Sequence, residues 1–160
     1  MAKDVQKIIS VRSAFQVIRG PVKQESTLHA QYGAVAIFDT AGLDSAGVSN
    51  SAIGAHGTGV FIPTKSIVVR AFYQVVTGFT SAGGNTGTVA ISIQSANDLK
   101  TATVVSNAIY STPGVNDAGP NHSAAANIIL TAEREIVVTV AGQVLTAGKL
   151  VVYLEYVIGS

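Results

Sequence analysis

Residues 61–79 read FIPTKSIVVRAFYQVVTGF, with Lys65 and Arg70 as the only charges. A membrane helix needs roughly 20 consecutive apolar residues. Pro63, Lys65, Arg70, Gln74 and Gly78 interrupt this window, so it does not read as a span. Its content is strongly β-branched: Ile62, Thr64, Ile67, Val68, Val69, Val75, Val76 and Thr77. Such side chains suit a pleated surface better than a helix. From Ile67 onward the period is two. Val68, Arg70, Phe72, Gln74 and Val76 point one way, and Val69, Ala71, Tyr73, Val75 and Thr77 the other. The second set is the more apolar and is the expected core face.

The neighbouring stretches repeat the pattern. SAGGNTG (81–87) is rich in residues that tolerate positive φ, and it reads as the turn of a hairpin. TVAISIQ follows, with Val89, Ile91 and Ile93 on one face. GAVAIFD (33–39) and IGAHGTGVFI (53–62) read as strands, the second ending at Pro63. TATVVSNAIY (101–110), AAANIIL (124–130) and EIVVTVAG (135–142) are further strands, and STPGVNDAGPNHS (111–123) is the longest loop. KLVVYLEYVIGS (149–160) turns Leu150, Val152, Leu154 and Tyr156 to one side and Val151, Tyr153, Glu155 and Val157 to the other. Seven to nine strands without helices imply one antiparallel β-sandwich or barrel. The chain divides into a basic, extended N-terminal arm (1–30) and an all-β domain (31–160).

Composition sharpens this picture. Charged residues are 12% and hydrophobic residues 48% of 160. That is about half the usual charged share of a globular protein. Disorder requires the opposite balance. A surface so poor in charge is easier to tolerate when an assembly buries much of it. The net charge of +1 conceals an asymmetry, because Lys3, Lys7, Arg12, Arg19 and Lys23 face only Asp4 up to residue 23. That arm can meet an acidic partner surface. Without cysteine there is no disulfide or thiolate chemistry. Arg12 and Arg19 break the apolar run a signal peptide would need, so a cytoplasmic site of synthesis is expected.

Catalytic chemistry is scarce. His29, His56 and His122 stand apart from one another, which disfavours a zinc site. GAHGTG lacks the glycine order of a dinucleotide fingerprint, and AGK (147–149) lacks the remainder of a phosphate loop. Glu133 and Glu135 share a face if extended, as a solvated strand edge does, whereas a glycosidase needs two acids across a cleft. Aromatics do not interleave with a basic patch, so no stacking platform for single-stranded nucleic acid is expected. No enzyme, no cofactor and no metal site is expected.

Four segments together carry a resemblance: VFIPTKSIVVRAFYQVVTGFTS (60–81), GTVAISIQSANDL (87–99), LTAEREIVVTVAG (130–142) and LTAGKLVVYLEYV (145–157). In order and spacing they resemble small virion proteins of tailed bacteriophages, above all capsid decoration (cement) proteins. The resemblance covers about residues 59–157 and includes no catalytic motif. It implies a jelly-roll-like β-sandwich, assembled as a homotrimer on the outer surface of the phage head. The major capsid protein would be its partner, with no direct contact to nucleic acid or membrane. The chain would be assembled in the host cytoplasm and would clamp the shell mechanically. The resemblance transfers no individual site residues; the residue pattern itself offers as partner-binding candidates Lys3, Lys7, Arg12, Arg19 and Lys23 of the arm, with Phe72 and Val76 on the strand face turned from the core. The competing readings are a tail or fibre-tip receptor-binding domain, a cellular carbohydrate-binding or adhesion module, and an enzyme. The first calls for a cleft or an aromatic platform at one end of the sandwich, and residues 111–123 contain no aromatic. The second calls for sugar-stacking aromatics or a calcium site, and neither is found in the sequence.

Overall fold

The computed structural model describes residues 31–121 and 127–159. Its described strands are β1 (Gln31–Asp39), β2 (Gly54–Ile62), β3 (Ser66–Ser81), β4 (Thr88–Ser92), β5 (Lys100–Val104), β6 (Gly114–Asn121), β7 (Ile128–Ile129), β8 (Arg134–Ala141) and β9 (Leu145–Ile158). They build two antiparallel sheets. The first has the order β1-β9-β3-β6, with the two-residue β7 added to β3, and the second has the order β2-β8-β4-β5. With β7 set aside, successive strands mostly alternate between the two sheets. The result is the eight-stranded jelly roll, an all-β sandwich.

Alternation along each strand puts the core between the sheets. Ala36, Phe38, Ala71, Tyr73, Val75, Phe79, Leu150, Val152 and Leu154 enter from the first sheet, and Val89, Ile91, Ile136, Val138 and Val140 from the second. Tyr110 closes one end, stacked on Tyr73 at 5.5 Å and edge-on to Phe79 at 5.8 Å. Burial pushes the Tyr73 phenol up to about 12 and raises that of Tyr110 as well. Both rings therefore stay neutral in the core at any ordinary pH.

Four expectations need correction. Residue 69 breaks the phase of β3. A register shift lies between Val68 and Arg70, so Val68 is fully buried while Val69 is only half-buried. A bulge adds one residue and reverses the alternation across it. Next, β3 and β4 do not form a hairpin but belong to different sheets. Residues 82–87 cross between them, and Gly83, Gly84 and Asn85 take the positive φ that composition had pointed to. The strand expected over 101–110 stops at Val104. Asn107 then accepts the Ile109 N–H and starts a single helical turn, Ala108–Ser111, which tucks Tyr110 inward. Lastly, the loop expected over 111–123 contains β6, which pairs with β3 from Tyr73↔Asn116 to Ala71↔Ala118. As the outermost strand it accepts glycine and proline that an inner strand would not. Of the strand expected over 124–130, Ile128–Ile129 is seen and 124–126 lie outside the described residues.

The long connection 40–53 is pinned from within. Asp44 Oδ1 accepts the N–H groups of Ala46 (2.9 Å) and Val48 (2.8 Å). Its Oδ2 lies 3.1 Å from Nδ1 of the buried His56, whose Nε2 lies 2.8 Å from the Ala52 carbonyl. The Val48 N–H first, then His56 and the Ala46 N–H, hold the Asp44 carboxyl below its ordinary 3.8. The Ala41 N–H and Lys149 do the same for Asp39.

Two outcomes follow. A group whose folded pKa is depressed contributes stability above its unfolded pKa and loses it as pH falls. Thermal midpoints should therefore be insensitive to Asp39 and Asp44 from pH 7 to 5 and fall below about pH 4. Asp44→Asn should lower the midpoint at pH 7 and flatten that acid limb, measured by circular dichroism across pH. The second concerns Gly148, with φ 144, where an added Cβ would collide with the Phe79 ring. Gly148→Ala should cost on the order of 1–3 kcal/mol in denaturant unfolding. Gly84→Ala, with φ 90 but open space around its Cβ position, should cost less.

Candidate interaction face

The outer side of the first sheet carries the two sequence-expected contact residues that fall within the described region. Antiparallel register places opposite residues on the same face. One row runs Val35–Tyr153–Phe72–Asp117, the next Ile37–Val151–Gln74–Val115, and a third Gly33–Glu155–Arg70. The rows form an aliphatic and aromatic surface with a narrow polar margin. Phe72 and Tyr153 stack at 4.8 Å between centroids and 11° between planes. The Arg70 guanidinium sits 4.9 Å over the Phe72 ring and 3.8 Å from Glu155. Glu155 also accepts from Gln31 at 3.1 Å, and the Tyr153 hydroxyl donates to Gln74 at 3.4 Å. Gly33 has no side chain, so a shallow depression opens beside it, lined by Gly33, Val35, Phe72, Tyr153 and Glu155.

Ile37 is 57% exposed, Val115 66% and Val76 45%. Aliphatic side chains this open, next to a stacked aromatic pair and rimmed by polar residues, mark surface suited to a protein contact. The Arg70–Glu155 pair is half-exposed and is worth at most about 1 kcal/mol. Its part is to fix the Phe72 ring, because a guanidinium over an aromatic face is held by the ring quadrupole.

Phe72 and Val76 thus lie on one sheet face, turned from the core. Lys3, Lys7, Arg12, Arg19 and Lys23 lie outside the described residues. Sequence reasoning missed Ile37, Val35 and Val115 as members of the face. Alternation in 149–160 already turned Tyr153 to the side opposite Leu154. Val115 had no such signal, because its strand looked like a loop. Asp44 and His56 pair inside the fold and not on this face, and among the described residues no three His, Asp or Glu side chains converge as a metal-binding group. His56 is a buried strand residue on β2. Glu135 accepts the Gly59 N–H at 2.6 Å. Among the described residues no helix is long and apolar enough to cross a membrane.

Comparison with known proteins gives the fold a context. No protein-family model and no curated protein matches the sequence. Solved structures do. A chain in the capsid of Ralstonia phage GP4 superposes with a TM-score of 0.57 at 21% identity, over 91% of this chain and 94% of that one. A chain in the acidic stable capsid structure of Helicobacter pylori bacteriophage KHP30 gives 0.55 at 16% identity, over 83% and 92%. A chain of the cyanophage Pam1 capsid asymmetric unit gives 0.52 at 15% identity, over 93% and 100%. The chain shares its fold with proteins of phage capsids. At these identities the likeness is one of fold. It runs nearly end to end, so each of those chains is about the size of this one.

The stacked pair generates a quantitative expectation. Phe72→Ala and Tyr153→Ala should each leave a folded protein. Their double-mutant cycle in urea should return a coupling of about 0.5–1.5 kcal/mol. A coupling near zero would mean that the rings touch without preferring each other.

Proposed function

We propose that the chain is a structural protein of a bacteriophage virion that binds the outer surface of the head and stabilises the capsid. It acts as a decoration, or cement, protein without catalysis. The observation that carries this reading is the jelly roll shared along almost the whole length of three similarly sized chains from phage capsids. The uncovered face around Phe72 and Tyr153 supports it, and so does the low charge, since large obligate interfaces are more apolar than ordinary surface. The working form is a homotrimer in which the face bearing Phe72 and Val76 meets a neighbouring copy. The basic arm, through Lys3, Lys7, Arg12, Arg19 and Lys23, lies against the major capsid protein. The chain assembles onto the head in the host cytoplasm, and its contribution is mechanical: each clamped junction between capsid subunits adds contacts that internal pressure must break.

Light scattering after gel filtration tests the assembly. The expected mass is three times the 16.4 kDa of one chain. Phe72→Glu should give a folded monomer with an unchanged far-ultraviolet spectrum. A spectrum of unfolded chain would place Phe72 in the core and overturn the subunit contact. Mixing the wild-type chain with undecorated heads of the phage that encodes it should yield co-sedimentation and a higher temperature of head rupture. Absence of both would overturn the virion role.

A further inference from the structure

The four connections 40–53, 82–87, 105–113 and 142–144 gather at one end of the sandwich. Backbone hydrogen bonds tie them to each other and to the strand ends: Leu145 N–H to the Ser51 carbonyl at 2.9 Å, Ala82 N–H to Val144 at 3.1 Å and Val105 N–H to Gly87 at 2.8 Å. Within these connections the sequence has a single charged residue, Asp44. Its side chain is only 4% exposed and faces His56. Asn50 is also turned in, donating to the Asp39 carbonyl at 3.0 Å. In 40–53 and 142–144 the large apolar side chains point the other way. Leu43 is 68% exposed, Ile53 56%, Val48 49% and Val144 45%. In connection 40–53 the charged Asp44 and the Asn50 side chain thus lie inside, while the aliphatic groups stand in water beside the small hydroxyls of Ser45 and Ser49.

The opposite end is the reverse. Lys65, Asp98, Lys100, Glu133, Arg134 and Glu135 lie in its connections or at the adjoining strand ends. Near the uncharged end Asp39 and Lys149 neutralise each other at 3.1 Å. The described domain is thus polarised along its strands into a charged end and an uncharged, aliphatic end.

We infer that the uncharged loop end, presenting Leu43, Val48, Ile53 and Val144, is the surface by which the domain seats on an apolar, uncharged patch of the capsid protein. The inference rests on the virion role proposed above and adds its direction. Charge selects the occupant. Nucleic acid and anionic lipid both require lysine or arginine at the contact, and the lysine near this end, Lys149, is already paired with Asp39. A carbohydrate platform requires exposed aromatic rings, and the one ring in these connections, Tyr110, is buried. A partner charge brought here would lose its water without gaining a counter-charge. An apolar protein surface carries no such cost. The Asp44 and His56 bonds hold the connection in shape beforehand, so little conformational entropy remains to be lost on docking.

The test uses the full chain, its Leu43→Glu/Ile53→Glu double variant, and Phe61→Glu as a control on an aromatic residue that is 55% exposed near the charged end. Undecorated heads of the phage that encodes the chain are the probe, and binding is read by co-sedimentation. The double variant should keep the wild-type mass and melting temperature and bind at least tenfold more weakly, while Phe61→Glu binds as the wild type does. Unchanged binding by the double variant overturns the inference, as does equal weakening by Phe61→Glu. Loss of self-association in the double variant also overturns it, because the end would then be a contact between copies. Should the double variant misfold, hydrogen exchange on the wild-type chain decides: amides of 43–53 slow on head binding, or the inference is wrong. If the wild-type chain binds no heads, the virion role fails first and this inference falls with it.

Discussion

The pairing of β3 with β9 is the interaction on which the rest of the structure depends. These are the longest described strands, of 16 and 14 residues, and they lie side by side from Ser66↔Ile158 to Ser81↔Leu145. β1 attaches to the free side of β9, and β6 and β7 attach to β3. One side of the ladder supplies Ala71, Tyr73, Val75, Phe79, Leu150, Val152 and Leu154 to the core. The other side supplies Phe72 and Tyr153 to the outer face. Core and candidate face are thus two sides of one pairing, and a slip of one residue would exchange them. Bulges at Val68/Arg70 and Val75/Thr77 give such long strands the local twist needed to wrap over a second sheet.

How far the sequence reveals this depends on the kind of interaction that fixes each part. Strands buried on one face declare themselves by alternation, so β1, β2, β4, β8 and β9 are legible from residue pattern alone. β6 is not. Its GVNDAGPN carries turn formers throughout, and its conformation comes from backbone pairing with β3, which leaves no mark on composition. The single turn at Ala108–Ser111 is hidden for the opposite reason. Its β-branched neighbourhood favours a strand, and tertiary packing of Tyr110 overrides that preference. The missing hairpin is a matter of topology. A glycine-rich turn reports that the chain bends but not whether it returns to the same sheet. In the candidate face, Phe72, Val76 and Tyr153 follow from alternation, whereas Val35 and Val115 join them only through register across three strands.

The two outer faces of the sandwich have different chemistry. On the second sheet, positions such as Ala55, Thr139, Gly57, Val137 and Ser92 carry smaller side chains, with Phe61 at the strand end as the large exception. On the first sheet the centre of the face holds the stacked Phe72 and Tyr153 with Ile37, Val151 and Val115 beside them. A domain alone in water gains nothing from such a difference, since both faces would be wetted alike. The difference has a physical use when one face is covered and the other is not.

The same reasoning applies to charge, and there it reaches the origin of the chain's unusual composition. Residues 31–159 contain five basic and seven acidic side chains, a net of −2, and residues 1–30 contain five and two, a net of +3. The sum is the +1 of the whole chain. Low charge is therefore not a uniform dilution. Half of the domain's twelve charges (Lys65, Asp98, Lys100, Glu133, Arg134 and Glu135) gather at one end, and the four connections at the other hold only Asp44. Solubility requires charge somewhere on the surface but is indifferent to where. Docking is not indifferent, because each ion at a contact must be desolvated or paired. A chain selected for solubility alone would be expected to scatter its few charges. Gathering half of them at one end keeps the domain soluble before assembly while leaving the opposite loop end nearly free of ions that would oppose docking there.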